Sequence, residues 1–494
     1  MALPAEDSAP DAPAPEANAP EANAPEANAP EAKKLPSGRV ARTARVGGLA
    51  AGQGVRWAGM RAANRVRSPE RAAAAEQERT AALVHELVDQ LSRMRGAAMK
   101  VGQMISMVEF EGLPEDQQDE LQQALAKLRD DVPPVSFASI EKMLRKEVGG
   151  PLSSVFSEFD ERAFAAASIG QVHRATTLDG EAVVVKVQYP GVAEAVETDL
   201  RNAMLLVPLI KRLAPGLDAR ALGTEMRERI GEELDYELEA QNQRRIERLT
   251  RGHPFIQVPR VHTDVSTRRM LVSEYIDGDR FEAVRRSDES VRDRYGEVVF
   301  RFFFGLLYRN RIALGDPHPG NYLLRSDGRV GFLDFGLLRD VAPARITAEA
   351  AIAMAVREQD APGLKDALVA GGYLPAARAD IVEPEFALRM MRRATGWYAV
   401  SGPRRFAEQR DEDRHDRDRP DAAAREAFKK QINQFTVPPD AILIRRMHGV
   451  VGIVLENLHA GADWGAIAAE YLHGEPPATQ LGEQEAEFFA RHAR

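Results

Sequence analysis

Three polar side chains in the second half of the chain have types and spacing suited to metal-assisted chemistry. Asp316 and Asn321 bracket the run Asp-Pro-His-Pro-Gly-Asn, and Asp334 opens the run Asp-Phe-Gly. Asp316 could orient or deprotonate an attacking hydroxyl or water, whereas Asn321 and Asp334 offer the hard oxygen ligands that Mg²⁺ prefers. The two prolines restrict the loop backbone, so these side chains should be pre-positioned. A hairpin-like turn is predicted at 326–328, between the two motifs.

A valine run that ends in lysine supplies the next element. The run Val183-Val184-Val185-Lys186 has the arrangement of the V-A-I-K strand of kinases, whose ammonium contacts the α- and β-phosphates of ATP. Alone, such a lysine is usually a solvated charge at a strand end. The loop before it favours the functional interpretation, because it follows the register of the kinase phosphate-covering loop, with alanine at the first two glycine positions. The loop residues are Ala165, Ala166, Ala167, Ser168, Gly170 and Val172.

Acidic residues that could hold Lys186 lie farther along the chain. Segment 232–240 is predicted to be helical, with Asp235 and Glu239 on one face of the helix. A kinase needs a helical carboxylate to hold its lysine in place, and Glu233 and Glu239 are both candidates. The other acids of the segment are expected to be surface charges.

Residues 270–278 are predicted to form a buried strand that runs into a connector. The backbone groups of Glu274, Tyr275 and Ile276 could bind the edge of an adenine base. Ser273 would then lie at the back of a nucleotide pocket. An ordinary strand and turn would show the same pattern, so both interpretations stay open.

Taken together, these residues resemble the UbiB-like, or AarF-type, family of atypical kinases, whose eukaryotic members support coenzyme Q synthesis. The match runs from about Leu83 to Leu458. Its most specific marks are the K-x-G-Q motif Lys100-Val101-Gly102-Gln103, the Ala-rich loop, the E-x-D triplet that begins at Glu233, and the D-P-H-P-G-N loop. The resemblance implies an α+β, protein-kinase-like two-lobed fold. It would consist of a small mixed β-rich N-lobe and a helical C-lobe, and a helical K-x-G-Q extension would precede them at the N-terminal side.

The resemblance also implies roles for individual residues. The extension would cover the site where a peptide substrate otherwise docks, with Lys100 paired to Glu233 and Asp235 while Glu239 holds Lys186. The Ala-rich loop would tune nucleotide preference and restrain transfer to proteins. Gly315 stands where kinases have arginine, so control through an arginine and a phosphorylated activation loop is not expected.

Composition narrows the classes of function further. The 494 residues include no cysteine, which excludes disulfides, thiol catalysis and cysteine-bound metals. The net charge of -9 is unevenly distributed, since residues 1–32 carry seven acids and no base. Between Lys33 and Arg71 stand ten Lys or Arg and only one acid, Glu70. This basic segment could lie on anionic lipid or form a partly helical linker.

Composition shifts and motifs also predict the divisions of the chain. They are a disordered acidic repeat tail (1–32), the basic segment (33–71), the helical K-x-G-Q extension (72–150), an N-lobe (151–278), a helical C-lobe (279–475) and a C-terminal tail (476–494). The sequence shows neither an apolar stretch long enough to span a membrane nor a secretory signal. We therefore expect a cytoplasmic protein that is peripheral at the inner face of the membrane.

The function expected from these residues is that of a Mg²⁺-dependent ATPase or phosphotransferase, with ATP and Mg²⁺ as cofactors. Its expected partners are an anionic membrane surface, an isoprenoid lipid in quinone or other lipid metabolism, and proteins of a biosynthetic complex. Two alternatives are a small-molecule phosphotransferase and a nucleotide-gated lipid-binding scaffold with little catalysis. Nucleic acid is not an expected partner, because the basic segment lacks a recognition-helix motif.

Overall fold

A computed structural model gives the fold. It describes residues 63–64, 67–68, 71, 135–167, 169–198, 201, 231–315, 317–405, 427–428 and 430–492. The chain divides into two units, Met1–Gly38 and Arg39–Arg494, and all described residues belong to the second. The predicted acidic tail, the Lys100–Gln103 motif, Ser168 and Asp316 lie outside the described residues.

An antiparallel sheet dominates the first part of the described fold. The first six strands are β1 (Phe156–Phe159), β2 (Ala165–Ala166), β3 (Gly170–Thr177), β4 (Ala182–Gln188), β5 (Ile256–Gln257) and β6 (Met270–Glu274). All but β5 belong to this sheet, in the order β1-β3-β4-β6 with β2 paired to β3. Because side chains alternate along a strand, Val183, Val185 and Val187 share one buried face and Lys186 lies on the other.

One helix supplies part of the apolar layer on that buried face. Helix α1 (Phe137–Val148) contributes Ile140 and Leu144 to the same core cluster as the valines of β4. Gly149 ends the helix in the left-handed conformation, at a φ of 72°. The first sheet therefore has an apolar core of its own, and its other face carries Lys186.

A second helix, α2 (Tyr236–Thr250), packs against β6. Its first turn begins at Asp235, whose side chain accepts hydrogen bonds from the backbone N–H groups of Glu237 and Leu238. This is an N-cap, which satisfies two of the donors that a helix start leaves without partners. Residues 231–233 are also helical, but the chain leaves the helix at Leu234 and Asp235. The continuous helix expected over 232–240 is therefore wrong, because the capping side chain starts a new helix there.

Two smaller sheets follow the first. The strands are β7 (Asp279–Arg280), β8 (Ile312–Leu314), β9 (Tyr322–Leu324), β10 (Val330–Phe332) and β11 (Leu338–Asp340). One sheet has the order β5-β10-β9-β7, and the other pairs β8 with β11. The turn predicted at 326–328 is confirmed: it closes the β9–β10 hairpin, with Gly328 at a φ of 79°.

The rest of the described chain is largely helical. The helices are α3 (Phe281–Val284), α4 (Glu289–Phe304), α5 (Pro343–Glu358), α6 (Ala361–Ala370), α7 (Pro384–Ala399), α8 (Ile442–Leu458), α9 (Trp464–Leu472) and α10 (Gln480–His492). A π-helix, Gly305–Arg309, continues α4, and a small two-stranded sheet pairs β12 (Arg404–Arg405) with β13 (Gly461–Ala462). Helix α8 buries one face, which includes Ile444, Met447, Val451 and Leu455. These helices share a second, larger hydrophobic core.

A buried arginine ties three of these helices together. Arg301 of α4 is fully buried, and its guanidinium contacts Glu297 at 2.7 Å, Glu470 of α9 at 2.8 Å and Glu485 of α10 at 3.2 Å. Burial opposes the charged form, but Glu470, Tyr471 and Glu297 outweigh it and hold the pKa of Arg301 above its ordinary value. Thr479 adds a hydrogen bond of 2.8 Å. In the part of the chain that the structure describes, every helix is too short or too polar to cross a lipid bilayer.

Candidate active site

The central feature of the site is a lysine held by a carboxylate. The ammonium of Lys186, on β4, lies 2.8 Å from both carboxylate oxygens of Glu239, on α2. Lys186 is about one-fifth exposed and Glu239 is buried. Of the two carboxylates that the sequence offered for Lys186, Glu239 is therefore the one in contact. The pair joins the sheet to the helix that packs on it.

The charges around this pair fix its protonation. Burial acts to lower the pKa of Lys186, but the Glu239 and Asp334 carboxylates outweigh burial and hold that pKa above its ordinary value. Burial also raises the pKa of the Glu239 carboxyl, and the Lys186 ammonium opposes that rise. Since Asp334 acts on both members of the pair, it belongs to the same electrostatic site. Lys186 is accordingly a cation at neutral pH.

A tyrosine that the sequence motifs did not single out lies beneath the lysine. The ring centroid of Tyr236 is 4.9 Å from the Lys186 ammonium, a cation–π contact. Its hydroxyl is buried and has no hydrogen-bond partner among the described residues. Tyr236 stands three residues before Glu239 on α2, so helical spacing around Glu239 was the signal that could have found it.

The Ala-rich loop forms a tight hairpin beside this tyrosine. Ala165 and Ala166 of β2 pair with Val172 and Gln171 of β3. The turn closes with a hydrogen bond of 2.8 Å from the Ala167 N–H to the Gly170 carbonyl. The loop predicted to cover phosphates is thus an extension of the sheet edge.

Gly170 has to be glycine for reasons of space. A Cβ atom there would lie 2.2 Å from the backbone oxygen of Val187 and 2.9 Å from the Tyr236 hydroxyl. No real side chain approaches a backbone oxygen so closely. The close packing brings the loop, β4 and the start of α2 together at one point.

The two residues predicted to bind the metal follow and precede paired strands of one sheet, since Asn321 directly precedes β9 and Asp334 lies two residues after β10. The Leu333 N–H donates to the Asn321 carbonyl at 3.1 Å, which places Asn321 beside the residue that precedes Asp334. The Gly315 N–H donates to the Leu337 carbonyl at 2.9 Å. The chain on either side of Asp334 therefore contacts both ends of the predicted catalytic loop. Asp316 itself lies outside the described residues.

The Asp-Phe-Gly segment is anchored to helix α2. The Asn242 side chain donates a hydrogen bond of 3.0 Å to the carbonyl of Phe335, whose ring is buried. The Asp334 side chain accepts a hydrogen bond of 3.0 Å from the Gly336 N–H, which fixes the turn. Asn242 lies three residues after Glu239, so one face of α2 holds both Lys186 and the segment that carries Asp334. The sequence motifs did not single out Asn242.

The segment after Asp-Phe-Gly is short and paired. Strand β11 begins at Leu338, and helix α5 begins at Pro343. Arg245 of α2 contacts Asp340 at 2.6 Å, and Arg339 contacts Glu232 at 2.6 Å. These exposed pairs are individually weak, but with the β8–β11 pairing they leave no long free segment here.

Asp235, the last residue of the E-x-D triplet, has partners within the described structure. Asp235 caps helix α2 and also lies 3.4 Å from the Arg268 side chain. The Lys100 residue expected to pair with Glu233 and Asp235 lies outside the described residues. The role assigned to this triplet therefore stays a prediction.

The predicted adenine-binding connector is partly engaged by the fold. The Glu274 N–H donates to the Arg260 carbonyl at 2.8 Å, and the Tyr275 N–H donates to the Ala182 carbonyl at 3.0 Å. These two amides are therefore not free to meet a base. The candidates that remain are the carbonyl groups of the connector and the N–H of Ile276, a buried residue.

The Tyr275 side chain links the connector to the Ala-rich loop. The Arg174 guanidinium stacks on the rings of Phe164 and Tyr275, at 4.2 Å and 4.9 Å from their centroids. It also donates a hydrogen bond of 2.9 Å to the Tyr275 hydroxyl. Phe164 directly precedes the loop and is more than one-third exposed, so this stack lies at the surface.

Comparisons with known proteins agree with this geometry. Residues 127–368 match the model of the ABC1 atypical kinase-like domain. A solved structure titled "The complex structure of Rv3197-erythromycin from Mycobacterium tuberculosis" is 30% identical to this chain. The match covers 82% of this chain and 98% of the chain in the solved structure, with a TM-score of 0.59. The chain belongs to the ABC1 atypical kinase-like family. The resemblance to UbiB-like, AarF-type kinases and the expected kinase-like fold are thereby confirmed.

Two curated relatives are also similar to this chain. "Atypical kinase COQ8B, mitochondrial" of Danio rerio is 30% identical over 312 residues, which cover 62% of this chain and 49% of the relative. "Atypical kinase COQ8, mitochondrial" of Saccharomyces cerevisiae is 28% identical over 343 residues, which cover 69% and 67%. This chain therefore spans about half the length of the Danio rerio relative.

Proposed function

We propose that this chain binds ATP with Mg²⁺ on the face of the first sheet that carries Lys186 and catalyses ATP hydrolysis or phosphoryl transfer. The observation that carries the proposal is the Lys186–Glu239 pair under the electrostatic influence of Asp334. A fixed ammonium beside a carboxylate is the arrangement that holds the phosphates of ATP in kinase-like sites. Membership of an atypical kinase family supports the same conclusion.

Each part of the site has a defined task in this proposal. Lys186 would contact the α- and β-phosphates, and Glu239 would keep its ammonium in place. Asn321 and Asp334 would hold Mg²⁺, which neutralises charge that develops on the transferred phosphoryl group. The hard oxygen donors of these two side chains fit that ion. Asp316 would orient the attacking hydroxyl or water.

The nature of the acceptor separates the leading proposal from its alternatives. Water as the acceptor makes the protein an ATPase, whereas a metabolite makes it a small-molecule phosphotransferase. Binding with little turnover would make it a nucleotide-gated scaffold. The role in quinone or other isoprenoid lipid metabolism, at a membrane surface and with protein partners, is a further part of the proposal. It rests on the family resemblance and on the basic segment 33–71.

The experiment measures phosphate release from ATP and, with labelled ATP, any phosphorylated product. The purified protein would be assayed with Mg²⁺, with and without anionic liposomes. Asp334→Asn removes the negative charge of a proposed metal ligand, and Asp179→Asn, in the exposed turn between β3 and β4, is the matched control. Turnover that is lost only in Asp334→Asn supports the proposal. Nucleotide binding without phosphate release in any condition supports the scaffold instead.

A further inference from the structure

Two polar side chains lie in the apolar layer between the first sheet and helix α1. Gln171 and His173, on β3, are 1% and 0% exposed. They stand opposite Val187 and Val185 of β4, so they share the apolar face of the sheet. The rings of Phe137 and Phe159 pack on His173, at centroid distances of 6.1 Å and 5.3 Å. Buried polar groups in such a layer are costly unless every one of them has a partner.

Gln171 and His173 are hydrogen-bonded to each other, and each is also hydrogen-bonded to one backbone group. The Val135 N–H donates to Gln171 Oε1 at 2.9 Å. This contact turns the amide nitrogen of Gln171 toward His173 Nε2, at 3.0 Å. His173 Nε2 is therefore the acceptor, and its Nδ1–H donates to the Asp160 carbonyl at 2.8 Å. Burial lowers the pKa of His173, which agrees with a neutral ring.

This series connects the Ala-rich loop to the chain that enters α1. The backbone of Gln171 pairs with Ala166 and directly follows Gly170, so any displacement of Gln171 moves the hairpin. At its other end the series holds Val135, two residues before α1 begins. A valine or leucine pair would fill the same layer without joining these two segments. The polar pair is thus a link as well as a part of the core.

We propose that Gln171 is a positioning residue that fixes the Ala-rich loop to the segment entering α1, so that the two segments move together. His173 orients the Gln171 amide for this contact. Since the loop is assigned to nucleotide phosphates, the inference rests on the proposed function. The residues that precede Val135 in the sequence include the K-x-G-Q motif, so the link connects the loop to the end of that region of the chain.

The test separates positioning from stability by comparing single and double variants. Gln171→Leu leaves the buried His173 Nε2 and the Val135 N–H without their partner. Gln171→Leu/His173→Phe replaces both side chains by apolar groups and leaves two backbone groups, the Val135 N–H and the Asp160 carbonyl, without theirs. Removing both partners of a buried hydrogen bond can be nearly neutral for stability, while removing one is not. Leu144→Ala, in the same apolar layer but on α1, is the matched control for general loss of packing.

Two readouts are measured, the KM for ATP and the rate of amide hydrogen exchange in residues 163–172. We expect the double variant to regain part of the thermal stability lost in Gln171→Leu, because the backbone groups that it leaves belong to Val135 and Asp160, which are partly exposed and exposed, whereas His173 is buried. It should nevertheless keep faster exchange in the loop and a KM raised about three- to tenfold, because the loop is no longer held. Leu144→Ala should lower the melting temperature and leave both readouts near those of the unsubstituted protein.

The outcomes distinguish this inference from the proposed function. The inference is overturned if loop exchange and the KM for ATP in the double variant equal those of the unsubstituted protein. It is also overturned if Leu144→Ala changes loop exchange and KM as much as the double variant does. If the unsubstituted protein does not bind ATP, the proposed function fails. Exchange in the loop of the nucleotide-free protein then still decides whether Gln171 holds the hairpin.

Discussion

The Lys186 ammonium sits between two oxygens of one carboxylate, 2.8 Å from each oxygen of Glu239. This contact spans two elements, since Lys186 belongs to β4 and Glu239 to α2. Any movement of α2 away from the sheet would separate the charges. The position of α2 therefore controls the proposed phosphate contact.

Glu239→Gln tests this pair directly. The carboxamide keeps the shape of the side chain but loses the charge that holds Lys186, so the ammonium is no longer fixed beside the nucleotide. We expect ATP turnover to fall roughly a hundredfold, which corresponds to about 2.7 kcal/mol of transition-state stabilisation. Glu237→Gln, on the exposed side of the same helix, should keep full turnover. Equal activity in both variants would contradict the assignment of Glu239.

Asn242→Leu tests the link between α2 and the Asp-Phe-Gly segment. The variant removes the hydrogen bond to the Phe335 carbonyl and so frees the segment that carries Asp334. We expect the Mg²⁺ concentration for half-maximal activity to rise several-fold, since Asp334 would be held less well. Gln241→Leu, at the exposed neighbouring position, is the control. A Mg²⁺ titration that is the same for both variants would show that the contact does not position Asp334.

Gly170→Ala tests the close approach between the loop and β4. The added Cβ would lie 2.2 Å from the Val187 backbone oxygen, so the hairpin has to shift. We expect a loss of about 1–3 kcal/mol in the free energy of unfolding, measured by urea denaturation, together with weaker nucleotide binding. Gly449→Ala, where a Cβ meets nothing within 4 Å on helix α8, should instead stabilise by about 0.5–1 kcal/mol. Equal behaviour of the two variants would refute the steric argument.

His253 should make stability depend on acid pH. Burial and the charges of Arg309, Arg301 and His492 lower its pKa to about 3, and Glu485, at 4.0 Å, does not offset them. Since the unfolded protein binds the proton more readily, stability is fully present above about pH 6.5 and falls as the pH falls toward 3. At pH 5 the loss from this group is about 2 kcal/mol.

The measurement is the free energy of unfolding between pH 7 and pH 4, for the unsubstituted protein and for His253→Phe. The rings of Phe255 and Phe488 lie 4.4 Å and 4.7 Å from His253, so phenylalanine suits the surroundings. The variant should lose less stability on acidification. Burial also lowers the pKa of His173 and of His448, so the free energy of unfolding of the variant should still fall in part as the pH is lowered. An unchanged slope would mean that His253 does not titrate in this way.

The main motifs could be predicted from sequence because their spacing reflects local geometry. The β4 strand, with Lys186 on the face opposite the buried valines, follows from alternation, and the turn before Asp334 follows from turn chemistry. The interruption at Asp235 could not be predicted from helical spacing, since that spacing does not show which side chain turns back to cap the chain. The sequence also could not show that the fold engages the Glu274 and Tyr275 amides, because those bonds join distant segments.

The polar pair on β3 shows a different limit of sequence reasoning. Alternation along Gln171, Val172 and His173 would place the valine inside and the polar residues in solvent. The structure does the opposite: Gln171 and His173 are buried, and Val172 is the one partly exposed. The buried polar atoms of Gln171 and His173 are satisfied by hydrogen bonds to Val135 and Asp160, which come from other segments of the chain.

The buried cluster around Arg301 limits when helix α4 can become buried during synthesis of the chain. Its partners Glu470 and Glu485 follow it by 169 and 184 residues. At about 5–20 residues per second, a ribosome needs roughly 10–40 s to supply them. Until then a buried guanidinium would have Glu297 alone and lack two of its three carboxylates, which is destabilising. The nascent helical lobe therefore has to keep α4 open to water until α9 and α10 emerge.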